Sequence, residues 1–428
     1  MCSEAVKSEN TSVTKVTGAV EPSCRFCDAP LRHLLVDLGT SPLCESYVSA
    51  DDYNQAEPFY PLRVHICDRC FLAQLEEFVP VSEIFSEYAY FSSYSDSWVE
   101  HARRYANQMA RNLQLGTESL VVEIASNDGY LLQHFVKMGI PVLGIEPAAN
   151  VAKAAVERRV PTLVRFFGRE TADEMARGGQ FADLLTANNV LAQVPDVRDF
   201  VAGIKTILTP RGVVTIEFPH LVRLMESNQF DTIYHEHYSY FSFYSAERIL
   251  ESAGLRVYRV DRLPTHGGSL RVYATLASDL RPVEACVDEM RRNEEAFGIN
   301  RLDTYRRFAE NVRETKRALL EFLIEAKRAG KRLCAYGAPG KGNTLLNYCG
   351  VRTDFLDFTV DRNPYKQGKF LPGTRIPIRC PEALRDARPD YVLILPWNLK
   401  DEIINQAGFI REWGGRFVVP IPAIKVYD

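Results

Sequence analysis

The sequence predicts an α/β protein: an N-terminal metal-binding module, a parallel sheet of the Rossmann type, and a second, smaller C-terminal α/β domain. Three observations carry that prediction. Strands and helices alternate from Leu120 onward, a second strand–helix series starts at Arg332, and the pairs Cys24-x-x-Cys27 and Cys67-x-x-Cys70 precede both. Such alternation means crossover connections and a parallel sheet. At 428 residues the chain has room for about three domains of ordinary size.

Residues 1–20 are polar and lack the apolar core of a signal peptide, so a disordered leader is expected. Residues 21–84 make the first module, whose two cysteine pairs stand 39 residues apart. Each pair puts two thiolates on one side of a tight turn, and two such turns close a tetrahedral shell around Zn2+. Pro22 and Asp28-Ala29-Pro30 mark turns around the first pair, and Leu62 to Ile66 reads as a strand entering the second. Redox or disulfide chemistry is the alternative. Two separate pairs outside any thioredoxin-like βαβ unit weigh against it. A closed shell has no open position, so Cys24, Cys27, Cys67 and Cys70 hold a fold and the chemistry lies downstream.

Residues 85–281 carry the first large sheet. An aromatic, serine-rich stretch from Tyr88 to Trp98 leads into a helix over about Trp98 to Leu113. Strands follow at Leu120–Ile124, Pro141–Glu146, Phe181–Thr186 and Gly212–Glu217, with helices over Gly129–Met138 and up to Val156. Leu255–Val260 and Leu270–Leu276 have no helix between them and read as an antiparallel edge. Residues 282–330 are charged and helical, broken near Gly298, and connect to a domain at 331–428. Its strands are Arg332–Tyr336, Phe358–Asp361 and Tyr391–Leu395, with a tail from about Gly414.

The turn Glu123-Ile-Ala-Ser126-Asn127-Asp-Gly129 closes the first strand and opens a helix. Small residues there let backbone approach a ligand at the carboxyl end of the sheet. Glu146, 23 residues after Glu123, ends the next strand, where a carboxylate can accept both hydroxyls of a ribose. Ala125 and Asn127 stand where dinucleotide enzymes have their first glycines. A cofactor without a pyrophosphate needs fewer glycines, which favours S-adenosylmethionine (SAM) over NAD; a ligand-free α/β domain is the bland alternative. The sheet is then class I methyltransferase-like, with Glu123, Ser126, Asn127, Gly129, Glu146 and Asn188 as expected cofactor contacts.

Composition narrows the partners. Apolar content of 46% with 25% charged residues describes a well-packed soluble chain. A net charge of −4 argues against nucleic acid as the main partner, which would need a concentrated basic surface. No apolar run is long enough to span a bilayer. The six cysteines outside the two pairs are scattered, as suits a reducing cytoplasm. A cytoplasmic monomer is expected.

Phe218-Pro219-His220 follows a strand, and the block Tyr234-His235-Glu236-His237-Tyr238-Ser-Tyr240-Phe241 begins sixteen residues beyond Phe218. A base that removes a proton next to a carbonyl wants a pKa near neutrality, which histidine supplies, and a phenol can donate to the enolate oxygen. The bland reading is a buried, hydrogen-bonded histidine with aromatic packing; a metal site is weaker, because no further ligand is indicated.

The zinc pairs, the Glu-x-x-Ser-Asn-Asp-Gly turn, the Tyr-x-Glu-His block and the stretch Gly337-Ala-Pro-Gly340-Lys341-Gly342-Asn343 occur in one order. In that order the chain resembles the bacterial sugar-nucleotide C-3'-methyltransferases of branched deoxysugar biosynthesis, from Cys24 into the final domain. The resemblance implies SAM-dependent methylation at C-3' of a nucleotide-linked 4-keto-6-deoxyhexose, with dTDP expected ahead of GDP. It makes His237 the base, assisted by Tyr234 and Glu236, and brings a tyrosine after the zinc module, Tyr90, to the sugar. Gln193 stands where the family commonly has histidine after Ala187-Asn188-Asn189. Glutamine cannot act as a base, but it can hydrogen-bond a hydroxyl or ketone.

On this reading His237 takes the C-3' proton, made acidic by delocalisation onto the C-4' oxygen, and C-3' attacks the sulfonium methyl. Lys341 and Asn343 in the final glycine-rich stretch are candidates for the pyrophosphate, with helix–strand packing as the alternative. His266, Ser269 and Arg271 in Thr265-His266-Gly267-Gly268-Ser269-Leu270-Arg271 are further substrate candidates, against a plain glycine hairpin. Three rivals remain. They are a zinc-ribbon nucleic-acid methyltransferase, a nicotinamide-dependent sugar-nucleotide enzyme using the Gly337–Gly342 loop with Asp361, and a non-enzymatic SAM sensor or scaffold.

Overall fold

A computed structural model describes residues 22–84, 92–94 and 96–428; the expected leader and Tyr90 lie outside the described residues. Three sheets organise those residues. The first is antiparallel and small: β1 (His33–Ser41), β2 (Tyr60–Ile66) and β3 (Ala73–Leu75). Along β2, Leu62, Val64 and Ile66 are buried while Arg63 is exposed, the period-two pattern of a half-buried strand.

The fourth strand of this sheet comes from far along the chain. The second sheet's β4 (Val121–Ile124), β5 (Val142–Ile145), β6 (Thr162–Leu163), β7 (Ala182–Asn188) and β8 (Leu208–Pro219) intervene before β9 (Ser239–Tyr240). β9 pairs with β3 as Gln74↔Ser239 and Ala73↔Tyr240. The span 21–84 therefore omits a strand that the first sheet uses. The physical reason is an open edge: β3 has unpaired backbone groups on one side, and the extended segment after His237 satisfies them.

The second sheet adds an antiparallel pair, β10 (Leu255–Leu263) and β11 (Ser269–Leu276), and runs β10-β11-β8-β7-β4-β5-β6. From β8 to β6 it is parallel; β11 is antiparallel to both neighbours, the edge the sequence predicts. β4 and β5 are buried at every position, as strands covered on both faces must be. Helix Ala285–Phe297 ends on Gly298 at φ 86° and helix Leu302–Arg328 follows. A residue without Cβ ends a helix in that left-handed conformation at least cost.

The third sheet comprises β12 (Leu333–Tyr336), β13 (Thr359–Val360), β14 (Ile378–Arg379), β15 (Tyr391–Ile394), β16 (Arg416–Val419) and β17 (Lys425–Tyr427). Its order is β14-β13-β12-β15-β16-β17, parallel except for β17. The tail expected from Gly414 is thus two strands, because Phe417, Val418 and Val419 bury against β15.

The N-terminal module packs on both larger bodies. Leu35 and Val64 share a core with Phe308 and Leu319 of the long helix and with Leu345 and Val392 of the third sheet's domain. Cys24, Cys67 and Leu72 instead share a core with Phe200, Phe218 and Phe241 around the second sheet. Among the described residues no helix is long and apolar enough to cross a membrane.

Candidate active site

The two cysteine turns fold alike. The amide of Cys24 donates to Ala29 O at 2.8 Å and that of Cys67 to Leu72 O at 3.1 Å. The residue after each second cysteine, Asp28 at φ 60° and Phe71 at φ 56°, takes the left-handed conformation that closes the turn. The four sulfurs lie within 4.8 Å of one another, with Cys24–Cys70 and Cys27–Cys67 Sγ distances of 3.5 Å. Tetrahedral zinc with thiolate bonds of ordinary length needs sulfurs about 3.8 Å apart, so the site fits the ion. Gln74 donates from Nε2 to Cys24 Sγ at 3.2 Å, the outer-shell contact that steadies a thiolate ligand.

A cavity of about 450 Å3 opens at the carboxyl ends of β4, β5 and β7, where open α/β sheets bind ligands. Asn127, Glu146 and Asn188 line it. Asn127 sits at φ 49° and Ala125 at φ 55°, so the turn meets its left-handed geometry without the usual glycines. The Glu146 carboxylate accepts from Asn127 N at 3.0 Å and from Ala148 N at 2.9 Å. One amide on each oxygen leaves lone pairs for a diol. Burial holds the Glu146 carboxyl above its ordinary range, against the pull of these two amides. The turn and the acceptor suit the ribose of a nucleoside cofactor.

Glu123, Ser126 and Gly129 do not line this cavity; they stand behind its wall. Both Glu123 oxygens and Ser126 Oγ are shut off from solvent. Burial, with Asp128 and Glu146 nearby, raises the Glu123 pKa well above the carboxylate range. A Cβ at Gly129 would meet Val160 Cγ2 at 3.0 Å, so that glycine serves packing.

The opposite wall comes from the His237 block and the third sheet's domain. Tyr234, Glu236, His237, Gln193, His266 and Lys341 all line the cavity. The His237 and Tyr234 rings lie 4.2 Å apart between centroids. Burial pulls the His237 pKa down to about 4, only partly opposed by Thr232 O, so the imidazole is a weaker base than the near-neutral one the sequence predicts, because the block is buried rather than solvated. Glu236 is pushed up to about 8 by burial and by Glu45, and Cys44 Sγ donates to its Oε1 at 3.4 Å. At neutral pH the cavity therefore holds an uncharged imidazole beside an uncharged carboxylic acid. His266, at φ 52° and with its Trp98 contact at 5.3 Å, is likewise held down to about 4, mainly by burial.

Three substrate candidates point elsewhere. Arg271 is 3% exposed and pairs with Glu217 at 2.5 Å, above the Tyr105 ring. Burial opposes ionisation of Glu217, yet His101 and Arg271 outweigh it and hold the pKa at about 2. Ser269 Oγ donates to Thr265 O at 3.0 Å, and Asn343 Nδ2 to Cys44 O at 2.5 Å. Arg271 and Asn343 are thus committed to buried partners, and none of the three reaches the cavity.

The cavity also contains residues that the sequence reading missed. Cys44 and Glu45 approach it from the N-terminal module and Lys366 from the final domain. Lys366 Nζ donates to Tyr47 OH at 2.8 Å and to Ala338 O at 2.9 Å, and lies 3.4 Å from Glu45 Oε2. Nothing local in the sequence joins positions so far apart. Trp98, stacked on His101 with centroids 5.0 Å apart, had a signal: it closes the aromatic stretch before the first helix.

Three family models match the chain. They describe a zinc binding domain over residues 24–85, a methyltransferase domain over 98–260 and a C-methyltransferase C-terminal domain over 264–422. The C-methyltransferase NovU of Streptomyces niveus is 38% identical over 403 residues, covering 94% of this chain and 96% of its own. A ubiquinone biosynthesis O-methyltransferase of Rhodopseudomonas palustris (strain BisA53) is 29% identical over 97 residues, 22% of this chain and 38% of its own. Among solved structures, an S-adenosylmethionine-dependent methyltransferase from Clostridium acetobutylicum ATCC 824 aligns with 42% of this chain and 92% of its own, at 9% identity and a TM-score of 0.34.

Proposed function

The chain belongs to the SAM-dependent C-methyltransferase family, and from that membership we propose that it methylates C-3' of a nucleotide-linked 4-keto-6-deoxyhexose. One observation carries the reading. His237, an uncharged imidazole with a hydrogen bond from Nδ1 to Thr232 O, lines the same cavity as Glu146 and Asn127 at the sheet's carboxyl ends.

His237 Nε2 removes the C-3' proton, and the electron pair delocalises onto the C-4' oxygen. Glu236, a neutral acid at pH 7, and Tyr234 donate hydrogen bonds toward that oxygen as its charge grows. SAM, when bound, supplies a methyl group on a cationic sulfur that leaves as a neutral thioether. Glu146 holds the ribose hydroxyls of that cofactor, with Asn127 and Asn188 beside it. Gln193 orients a sugar hydroxyl or ketone without moving a proton. Lys341, which lines the cavity from the third sheet's domain and gives one N–H to Asn398 Oδ1 at 2.8 Å, meets the nucleotide's phosphates.

The nicotinamide alternative fares worse at its own loop. Asp361, which a dinucleotide ribose would need, does not line the cavity, whereas Glu146 does. Tyr47 and Lys366 also occupy the neighbouring Ala338 carbonyl.

The test incubates the protein with SAM carrying a deuterated methyl group and a panel of dTDP- and GDP-linked 4-keto-6-deoxyhexoses. Mass spectrometry and NMR of the product are expected to place one labelled methyl on C-3'. A methyl on C-5', the other carbon acidified by the ketone, would overturn the C-3' assignment. Absence of transfer to every keto sugar would overturn the substrate class.

A further inference from the structure

The Cys24–Cys27 turn touches both catalytic segments of the cavity wall through one side chain. Arg25 Nη1 donates to Pro195 O at 2.9 Å, two residues beyond Gln193. Nη2 donates to Leu75 O on β3, and the guanidinium lies 5.5 Å from the ring centroid of Tyr238, which follows His237. Leu75 N in turn donates to Tyr238 O at 2.9 Å. The turn itself is tied to the metal shell through Gln74, whose Oε1 accepts from Arg25 N at 2.9 Å while its Nε2 reaches Cys24 Sγ. A second link, the exposed Asp28–Arg198 pair at 2.7 Å, joins the turn to the helix after the Gln193 loop.

We propose that Arg25 is a positioning residue for methyl transfer, clamping the Gln193 loop and the His237 block together from behind the cavity and so coupling the zinc turn to the catalytic wall. The planar fork is what suits arginine here. Two N–H groups reach two carbonyl oxygens on different segments at once, and the flat cation lies by the Tyr238 ring; a lysine's single nitrogen cannot span both. Displacing reacting groups by about 1 Å can cost roughly a hundredfold in rate, so a clamp behind the wall is felt at the chemistry. Among the described residues the Arg25 side chain meets Pro195, Leu75 and Tyr238 rather than Glu146, so cofactor binding is left alone.

The test compares full-length wild type with Arg25→Met and Arg25→Lys. Five quantities are read: zinc content, SAM affinity by calorimetry, kcat and KM with the keto-sugar nucleotide, and amide hydrogen exchange over residues 190–196 and 234–240. Both variants are expected to keep one zinc per chain and SAM affinity within about twofold. In Arg25→Met, kcat is expected to fall roughly ten- to hundredfold with a smaller change in KM, and both segments to exchange faster. Arg25→Lys should restore protection in one segment at most, and it decides the matter if Arg25→Met fails to fold. Unchanged exchange in both segments would overturn the clamp. So would faster exchange with normal turnover, or loss of zinc or SAM binding in step with activity. The kinetic arm rests on the substrate reading above, whereas the exchange arm needs no substrate, so a wrong substrate and a wrong clamp give different results.

Discussion

His237 Nδ1 lies 3.2 Å from the carbonyl oxygen of Thr232. A carbonyl only accepts, so Nδ1 carries the hydrogen and the lone pair belongs to Nε2. Thr232 belongs to the short helix Phe230–Thr232, which the buried Asp231 ties to Trp397 Nε1 at 2.7 Å. The third sheet's domain thus helps to fix the tautomer of the proposed base.

Replacing that base is the sharpest test. His237→Asn keeps a hydrogen bond to Thr232 but accepts no proton, so turnover should fall by roughly two to four orders of magnitude. SAM affinity should stay within about twofold, and exchange of the C-3' hydrogen with deuterated solvent should cease. Gln193→Ala should be milder. Near-normal turnover in His237→Asn, with Tyr234→Phe inactive, would reassign proton removal to the phenol.

The pH profile follows from two opposed shifts. His237 works neutral, and burial holds its pKa at about 4, so activity is lost as pH falls through that value. Glu236 works protonated, and burial with Glu45 raises it to about 8, so activity is lost as pH rises through that value. Glu236→Gln keeps a donor that cannot ionise, so the alkaline limb of kcat/KM should vanish while the plateau falls by less than about tenfold. An unchanged alkaline limb would assign it to another group.

Stability has the matching signs. Glu236 sits above the ordinary glutamate value of 4.5, so its contribution is intact at low pH and lost as pH rises from there to about 8. His237 sits below the ordinary histidine value of 6.5, so stability is lost as pH falls from there to about 4. Denaturant unfolding of Glu236→Gln should therefore show less loss of stability toward pH 8 than wild type does. An identical slope would mean that the carboxyl is ionised in the folded protein.

Glu146→Ala should weaken SAM binding. Losing a charged acceptor is worth roughly 1.5–3 kcal/mol, about ten- to a hundredfold in affinity, and the Asn127 and Ala148 amides lose their partner as well. Calorimetry showing unchanged affinity would place the ribose elsewhere.

Removing zinc should unfold the knuckles that pack against Phe200, Phe218 and Phe241. Cys67→Ser should lower zinc content below one ion per chain and reduce solubility, as read by elemental analysis and yield. Full metal occupancy in Cys67→Ser would exclude Cys67 from the shell.

Local chemistry determined a good part of this protein in advance. Thiolate spacing, turn residues and strand–helix alternation act between neighbours, so the four-cysteine shell, the order of elements around β4 and β5 and the position of Glu146 were all legible in the chain. The Tyr234–His237 block was legible too, because its density of polar and aromatic groups exceeds what a core needs. The partners that decide its electrostatics were not. Cys44 meets Glu236 across 192 positions, and no residue near either one announces the other. For the same reason Arg271 and Asn343 read as ligand contacts, yet one is neutralised by Glu217 and the other bonds Cys44 O. The pairing of β3 with β9 likewise depends on which open edge the folded chain presents to Ser239 and Tyr240. Tertiary structure alone decided these contacts, because burial and long-range pairing are properties of the assembled core that no run of adjacent residues contains.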